Sequence, residues 1–287
     1  MSETQTDSHD SFAQDGIDRR SFLDRLAKTV GGSAAVLTVA PVFEQTSAQG
    51  PVVAEHDARL ATARVEYDAA GTKMAGYLAR LKGGQKRPAV LVIHENRGLT
   101  PHIQDVTRRV AVEGFLAFGF DVLSPQGGTP ADQDQAGKMF AGLNADETVA
   151  RLAATVRFLA SHPESTGKVG VVGFCWGGGM VNSVAVAAGT SLGAGVAYYG
   201  RQIPAADVPK VTAPLLLHYA GLDERINAGI PEFEAALKAN KKTYELYMYE
   251  GANHAFNNDS NAQRYHKEAA TLAWTRTMAF FKKYLGT

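Results

Sequence analysis

A short apolar run passes directly into a glycine-rich turn in residues 168–179, which read KVGVVGFCWGGG. The segment Lys168–Gly173 predicts a buried strand, and the apolar segment Gly177–Ala188 predicts the helix that follows it. Cys175, the one cysteine of the chain, lies between them at the strand-to-helix turn. A nucleophile on so tight a turn needs glycine neighbours, because the backbone passes too close to its surroundings for larger side chains. The stretch therefore predicts a reactive cysteine, with an inert core cysteine as the alternative.

The helix after this turn has an electrostatic consequence for the thiol. Its first N–H groups are predicted to face Cys175, where they favour the thiolate and later an oxyanion. A phosphate-binding loop is the competing interpretation of so many glycines. No Lys-Ser or Lys-Thr pair follows the turn, and its spacing is not G-x-G-x-x-G, so the nucleophile interpretation is favoured.

Composition excludes several classes of protein. The 287 residues carry 29 basic and 29 acidic side chains, so the formal net charge is zero, which argues against nucleic acid or an acidic membrane surface as the main partner. Hydrophobic residues make up 45% of the chain, enough for a sizeable core. A single cysteine excludes an internal disulfide framework and a zinc cluster of several thiolates, and no histidine pair has the spacing of a zinc protease.

The N-terminal segment differs in composition from the rest of the chain. Residues 1–18 are polar and acidic, and the pair Arg19-Arg20 then precedes the uncharged stretch 29–43, which is mostly small or apolar. Twin arginines before a modest apolar stretch resemble a twin-arginine export signal. The stretch is shorter than the roughly 20 residues that span a bilayer. An ordinary amphipathic first helix is the alternative.

The predicted signal ends at a small-residue pattern, Thr46-Ser47-Ala48, just before Gln49. We therefore predict a leader and signal peptide over residues 1–48 and a single α/β domain over residues 49–287. The twin-arginine export machinery is then a partner of the precursor. The mature protein is predicted to be periplasmic or secreted, or membrane-associated where the signal is retained.

Strands and long helices alternate after residue 60, which predicts βαβ units and a mostly parallel sheet with helices on both faces. Two alternating runs at the start predict an antiparallel hairpin at one edge. The predicted strands are Ala61–Tyr67, Lys73–Leu81, Pro88–His94, Phe115–Val122, Lys168–Gly173, Ala194–Tyr199, Pro214–Tyr219 and Thr243–Tyr249. The predicted helices are Pro101–Glu113, Asp132–Leu143, Ala145–His162, Gly177–Ala188, Pro231–Asn240 and Ala262–Leu285.

An acid and a histidine follow the cysteine in the chain order that a hydrolase triad on such a sheet requires. Asp223 lies just after one predicted strand, and His254 lies just after the last one, at the sheet edge where open α/β proteins gather their sites. His254 is predicted to take the thiol proton, and Asp223 to hold its tautomer. Glu224 is the rival acid. His94 and His218, also near strand ends, are predicted to have supporting or structural roles.

The segment His94–Gly98, HENRG, ends the first central strand and is predicted to complete the site. An oxyanion hole on this kind of sheet uses one backbone N–H from that loop and one from the residue after the nucleophile. These are the N–H groups of Asn96 and Trp176. Glu95 lies beside Asn96 in the chain. From the residues alone, Glu95 is either an auxiliary group of the site or a loop charge paired with Arg97.

Four motifs together resemble the dienelactone hydrolase (carboxymethylenebutenolidase) family of the α/β-hydrolase fold over roughly residues 60–285. They are GFCWGGG at 173–179, HENRG at 94–98, G-x-D at 221–223 and G-x-x-H-x-F at 251–256. The resemblance implies hydrolysis of an ester or lactone without a cofactor, through a thioester intermediate.

Residue by residue, the resemblance implies Cys175 as nucleophile, Asp223 as acid and His254 as base. It implies that Glu95 contacts the resting thiol and takes its proton as substrate enters.

The chain departs from the family pattern at two places. The position four residues after the histidine, where known members have an arginine that pairs with the glutamate, is Asn258 here; Arg97 or Arg225 could replace that arginine. The arginine and tyrosine that clamp the substrate carboxylate are missing from Gln126–Leu143. The dienelactone and other esters or lactones therefore both stay open as substrates.

Two other classes of function remain open at this point. A redox-sensing thiol protein would use Cys175 as an oxidisable group, although the chain has no second cysteine to resolve a sulfenic acid. A non-catalytic binding module on a hydrolase fold would not need the acid and base in order. Oligomeric state does not follow from the sequence.

Overall fold

Eight strands form one continuous sheet in the computed structural model, which describes residues 50–286. In space they follow the order β1-β2-β4-β3-β5-β6-β7-β8. The pairs β1–β2 and β2–β4 are antiparallel, and the other neighbouring strands are parallel. The strands are β1 (Leu60–Ala69), β2 (Thr72–Leu81), β3 (Arg87–Ile93), β4 (Leu116–Asp121), β5 (Ser165–Phe174), β6 (Ala194–Tyr198), β7 (Leu215–Ala220) and β8 (Tyr244–Tyr249). The predicted mostly parallel sheet with an antiparallel hairpin at its edge is confirmed.

Helices cover both faces of the sheet, as predicted. They are α1 (Pro101–Val112), α2 (Gln133–Ala141), α3 (Ala145–Ser161), α4 (Trp176–Ala187), α5 (Glu224–Asn227), α6 (Ile230–Ala239) and α7 (Lys267–Leu285). In the described part of the chain, none of them is both long and apolar enough to cross a membrane. The leader and export signal predicted for residues 1–48 lie outside the described residues.

The start of the closing helix differs from the sequence prediction. It begins at Lys267 rather than Ala262, because the residues before it form turns instead of helix. The His266 N–H donates to the Phe256 carbonyl, and the His266 side chain accepts from the Ala269 N–H as the cap of α7. A capping side chain and a long-range backbone bond therefore set this boundary, and neither has a periodic signature in the sequence.

Alternate residues of the central strands point to opposite faces and build two separate cores. Leu91 and Ile93 of β3 pack with α3, α4 and α6 on one face. Val90 and Val92 pack with α1 and α7 on the other. All four side chains are fully buried, which explains why this strand reads as a continuous apolar run rather than an alternating one.

The turn between β5 and α4 is crowded by backbone on both sides of Cys175. A Cβ on Gly173 would lie 2.1 Å from the Gly177 carbonyl oxygen, and one on Gly177 would lie 2.4 Å from the Ile93 carbonyl oxygen. Cys175 itself has φ 55° and ψ −113°, a conformation that L-residues rarely adopt. The two glycines allow α4 to start against β3, and this contact holds the cysteine in its strained position.

Because that contact is backbone against backbone, we expect Gly177→Ala to lower the free energy of unfolding by about 3 kcal/mol, through overpacking that no rotamer can relieve. The urea midpoint of the purified variant measures the effect. Gly142→Ala is the matched control: its Cβ would lie 3.6 Å from the Met139 carbonyl oxygen, an ordinary contact, so its stability should stay within about 0.5 kcal/mol. Equal midpoints for the two variants would contradict the crowding.

Candidate active site

Three loops at the carboxyl ends of β5, β7 and β8 bring Cys175, Asp223 and His254 together. The His254 Nε2 atom lies 3.0 Å from the Cys175 sulfur. The His254 Nδ1 atom is hydrogen-bonded to a carboxylate oxygen of Asp223, which is buried. The rival acid, Glu224, is exposed in the first turn of α5. The three residues that the sequence predicted as a catalytic set thus form one continuous chain of hydrogen bonds.

The loop that carries His254, called the histidine loop below, is held in place by neighbouring backbone and by a tyrosine. The Leu222 N–H donates to the Ala252 carbonyl oxygen at 3.0 Å, which joins the acid loop to the histidine loop. The Tyr199 ring packs against the His254 ring, with 5.0 Å between centroids. Tyr199 has φ 38°, and its buried hydroxyl has no hydrogen-bond partner among the described residues. Sequence reasoning missed Tyr199, because a tyrosine at the end of an apolar strand has no distinguishing pattern.

The electrostatic surroundings keep the resting thiol protonated. Burial raises the pKa of the Cys175 thiol to about 11, and the negative charge of Glu95 acts in the same direction. The Trp176 N–H at the start of α4 and the Arg225 guanidinium lower this pKa. The helix N-terminus therefore acts as the sequence predicted, but burial outweighs it.

Glu95 is held by a neutral partner. Its Oε2 atom accepts a hydrogen bond of 2.8 Å from the Asn258 side-chain amide, and its Oε1 atom is buried without a partner among the described residues. The Asn258 Oδ1 atom accepts from the Ser260 backbone N–H at 3.1 Å, which fixes the amide orientation. Asn258 thus occupies the place of the family's arginine and binds the glutamate without a positive charge.

The two arginines that could have replaced it do not pair with Glu95 in the described part of the chain. The Arg97 guanidinium lies against α2, where a Cβ on Gly137 would come within 2.6 Å of it. Within residues 50–286, neither Arg97 nor Arg225 forms a salt bridge with Glu95. The partner of Glu95, which the sequence left open, is Asn258 itself.

The loop that carries Asn258 is tied to α1 by buried ion pairs. Asp259 lies 3.1 Å from the His102 Nδ1 atom and 2.7 Å from the Arg109 guanidinium. Arg109 in turn contacts Asp105, which accepts backbone hydrogen bonds from Val52 and Val53. Burial alone would raise the pKa of Asp259, but hydrogen bonding to His102 and the Arg109 charge lower it. The carboxylate is therefore ionised and holds the loop against α1.

The two backbone N–H groups predicted for the oxyanion hole differ in what they contact. The Trp176 N–H faces the Cys175 sulfur. The Asn96 side chain is exposed, and its backbone N–H donates to no acceptor in the described part of the protein. The Trp176 ring packs on Phe140 of α2, with 4.6 Å between centroids. The Trp176 N–H therefore contacts the thiol, the Asn96 N–H is unused by acceptors among residues 50–286, and the Trp176 ring belongs to an apolar contact with α2.

His218 has the structural role that the sequence favoured. It is a fully buried residue of β7, where its Nδ1 atom contacts the Tyr249 hydroxyl at 2.9 Å and its Nε2 atom contacts the Thr277 hydroxyl at 3.1 Å. Burial lowers the pKa of His218 to about 3. Across residues 50–286, no group of three or more His, Cys, Asp or Glu side chains is arranged to hold a metal ion.

Comparison with known proteins identifies relatives of this chain. A model of the dienelactone hydrolase family matches residues 74–285. A protein of Saccharolobus solfataricus, provisionally named carboxymethylenebutenolidase, is 32% identical over 253 residues, 76% of this chain and 96% of its own length. A protein of Escherichia coli with the same provisional name is 31% identical over 75% of this chain and 84% of its own. The crystal structure of a provisionally named dienelactone hydrolase from Klebsiella pneumoniae is similar with TM-score 0.69 at 28% identity, covering 78% of this chain and 99% of that one.

Glu95 and Arg225 carry opposite charges and shift the pKa of the Cys175 thiol in opposite directions. Removing each charge should therefore change the reactivity of the thiol in opposite directions. Glu95→Gln removes a charge that raises the thiol pKa, so alkylation of Cys175 by iodoacetamide at pH 8 should be about two- to tenfold faster, since one pKa unit changes the thiolate fraction tenfold. Arg225→Gln removes a charge that lowers the pKa, so alkylation should be slower by a similar factor. The measurement is the pseudo-first-order rate as a function of pH.

Glu224→Gln is the control for this pair, because Glu224 is exposed beside Arg225 and is not among the groups that shift the thiol pKa. Its alkylation rate should match the unsubstituted protein. Rates that move in the same direction in Glu95→Gln and Arg225→Gln would show that the charges do not control the thiol.

Proposed function

This chain belongs to the dienelactone hydrolase family, and on that premise we propose that it hydrolyses esters or lactones through a Cys175–His254–Asp223 triad and a thioester intermediate. The observation that carries the proposal is the His254 ring, whose Nε2 atom lies 3.0 Å from the Cys175 sulfur while its Nδ1 atom is bonded to a buried carboxylate. A base that contacts its nucleophile and is oriented by a third group is the arrangement that nucleophilic catalysis requires.

Acylation begins with the thiol proton, which passes to His254 Nε2. The Cys175 sulfur then attacks the substrate carbonyl carbon and forms a tetrahedral oxyanion. The N–H groups of Asn96 and Trp176 bind this oxyanion, each contributing about 3 kcal/mol to the transition state. As the intermediate collapses, the bond to the alkoxide breaks and His254 returns the proton to the leaving oxygen. The products of this half-reaction are an alcohol and a thioester on Cys175.

Deacylation uses the same groups with water as the nucleophile. His254 accepts a proton from water, and the hydroxide attacks the thioester carbonyl. The second oxyanion occupies the same two N–H donors. Its collapse breaks the carbon–sulfur bond, and the proton on His254 returns to the Cys175 sulfur. In a lactone the alcohol and the acid remain parts of one product. No cofactor takes part in this proposal.

Glu95 is proposed as the auxiliary carboxylate that the family relationship implies. Its charge helps to keep the resting thiol protonated, which protects a lone cysteine from oxidation between turnovers. Its Oε1 atom has no partner among residues 50–286, so it can hold the thiol proton on the way to His254 as substrate enters. Asn258, being neutral, leaves the full carboxylate charge of Glu95 beside the thiol.

The proposed substrates are esters and lactones that need no carboxylate clamp. The family's arginine and tyrosine are missing from residues 126–143, and the Trp176 ring, on the residue next to Cys175, packs on the Phe140 ring as an apolar wall. A neutral acyl group fits this wall better than a charged one, because an unpaired buried charge loses its hydration without compensation.

The redox-sensing alternative is disfavoured by the state of the thiol. Sensor cysteines react as thiolates and have a lowered pKa, whereas burial raises the pKa of Cys175 to about 11. A non-catalytic binding module is disfavoured by the hydrogen-bonded contact of the base with both the acid and the thiol, which ligand binding alone does not need.

We expect turnover of p-nitrophenyl acetate and of a dienelactone by residues 49–287 to depend on the triad. Cys175→Ala should abolish it, and His254→Gln should lower kcat by at least about 10³-fold, because loss of the base leaves only the oxyanion hole and binding. With a slowly hydrolysed ester, mass spectrometry should detect one acyl group on Cys175.

His56→Gln, at an exposed position away from the site, is the control and should match the unsubstituted protein. Ester turnover that survives in Cys175→Ala would refute the thioester. Peroxide-dependent sulfenic acid without any turnover would favour the redox alternative. Turnover of the ester but not of the dienelactone would place the substrate outside the family's best-known reaction.

We also propose that the precursor is exported by the twin-arginine route, which the sequence pattern around Arg19 and Arg20 supports. Replacing both by lysine should retain the protein in the cytoplasm, measured by cell fractionation. Arg25→Lys makes the same chemical change outside the pair and should be exported normally. Export of the double variant would refute the route, and an N-terminus at Gln49 would locate the cleavage.

A further inference from the structure

His94 is a fully buried residue next to the site, and the mechanism above does not use it. It follows β3 directly, and both of its ring nitrogens are engaged. The Val122 backbone N–H donates to its Nε2 atom at 3.3 Å. Because Nε2 accepts, the ring proton lies on Nδ1, which donates to the Glu95 carbonyl oxygen at 2.5 Å. The ring is thus a neutral imidazole with a defined tautomer.

Burial maintains that neutral state. Desolvation lowers the pKa of His94, and this outweighs the opposing effects of the Glu95 carbonyl and the Asp121 charge. A protonated ring would have no lone pair for the Val122 N–H, which is buried beside it and would lose its acceptor. Because the buried ring is neutral, its Nε2 atom accepts from the Val122 N–H and its Nδ1 atom donates to the Glu95 carbonyl oxygen.

The bond to the Glu95 carbonyl has a geometric consequence for the next residue. The carbonyl oxygen of Glu95 and the N–H of Asn96 belong to one peptide group, and in a planar trans peptide they point in opposite directions. No cis peptide bond occurs in the described residues. Because His94 binds the Glu95 carbonyl oxygen, the Asn96 N–H is directed away from His94. This N–H donates to no protein acceptor among residues 50–286.

From this geometry we infer that His94 is a positioning residue that holds the Asn96 N–H in the orientation of an oxyanion-hole donor. The inference rests on the proposed function. Rotation of this one peptide group would turn the Glu95 carbonyl towards the reacting centre, so that a partial negative charge would face the oxyanion in place of a donor. The hydrogen bond from Nδ1 opposes that rotation.

The same ring also contacts the second proposed donor residue. Its plane stacks on the Trp176 ring, with 5.6 Å between centroids and 14° between planes. Phe140 lies against both rings, at 4.6 Å from the Trp176 centroid and 6.1 Å from that of His94. His94 therefore connects the two halves of the oxyanion hole, by a hydrogen bond to one and by packing to the other.

Three substitutions separate positioning from simple packing. His94→Asn brings a side-chain amide N–H to the place of Nδ1 and keeps the bond to the Glu95 carbonyl. His94→Gln reaches the place of Nε2, keeps an acceptor for the Val122 N–H and loses the bond to Glu95. His94→Phe keeps the ring that stacks on Trp176 and loses both bonds.

We expect kcat for p-nitrophenyl acetate to fall about 100-fold in His94→Gln and His94→Phe, the effect of losing one oxyanion donor, with KM within about threefold of the unsubstituted protein. His94→Asn should restore kcat to within about fivefold, since it replaces the decisive bond. A purely structural histidine would give equal losses in the Asn and Gln variants, and that result would overturn the inference. Unchanged kcat in His94→Gln would also overturn it.

The affinity for an inhibitor is a second measurement, and it separates the variants even where one of them is less stable. A trifluoromethyl ketone forms a tetrahedral oxyanion on the thiol, whereas iodoacetamide alkylates the thiol without one. The ketone should bind about 100-fold more weakly to His94→Gln than to His94→Asn, and the alkylation rates of the two variants should agree. Equal ketone affinities would refute the positioning role.

The failure of this inference is distinguishable from failure of the proposed function. If the unsubstituted protein shows no turnover that depends on Cys175, the function is wrong. If such turnover is present and His94→Gln retains it in full, only the role of His94 is wrong.

Discussion

The close approach of two backbone segments at the β5–α4 turn is the constraint on which the site depends. Gly177 lies so near the Ile93 carbonyl that even one Cβ would overlap it, and this contact joins the helix that follows Cys175 to the strand that precedes Glu95. The strained Cys175 backbone persists because the packing of both faces of the sheet holds the strands around it. The Cys175 thiol and the Trp176 N–H are thereby held next to each other by secondary structure rather than by flexible side chains.

The electrostatics of the site favour a neutral thiol in the resting protein. Burial and the Glu95 carboxylate both raise the pKa of Cys175, while the His254 Nε2 atom lies 3.0 Å from its sulfur, close enough to receive the proton in the proposed mechanism. Asn258 supports Glu95 by a hydrogen bond and leaves its charge uncompensated. A guanidinium at that position would neutralise part of the charge and lower the thiol pKa, so this neutral partner strengthens the resting protonation.

Elements distant in the chain hold the histidine loop next to Cys175. Asp259 ties the segment after His254 to α1 through His102 and Arg109, and Tyr199 packs against the His254 ring from the end of β6. His102 and Arg109 lie on α1, and Tyr199 directly follows β6, which pairs with β5. The loop that carries His254 is therefore held by the same sheet and helices that carry Cys175.

The sequence by itself determined the order of strands and helices, the turn with Cys175, and the acid and base in hydrolase order, because hydrophobic periods, glycines and chain order are local or sequential signals. The family motifs assigned the chemistry to those positions. Only the tertiary structure decided that Asn258 binds Glu95, 163 residues away, that Tyr199 supports His254, that α7 begins at Lys267, and that the thiol is protonated at rest. These depend on burial and on contacts between segments far apart in the chain, where distance and desolvation determine the interaction and no spacing in the sequence records them.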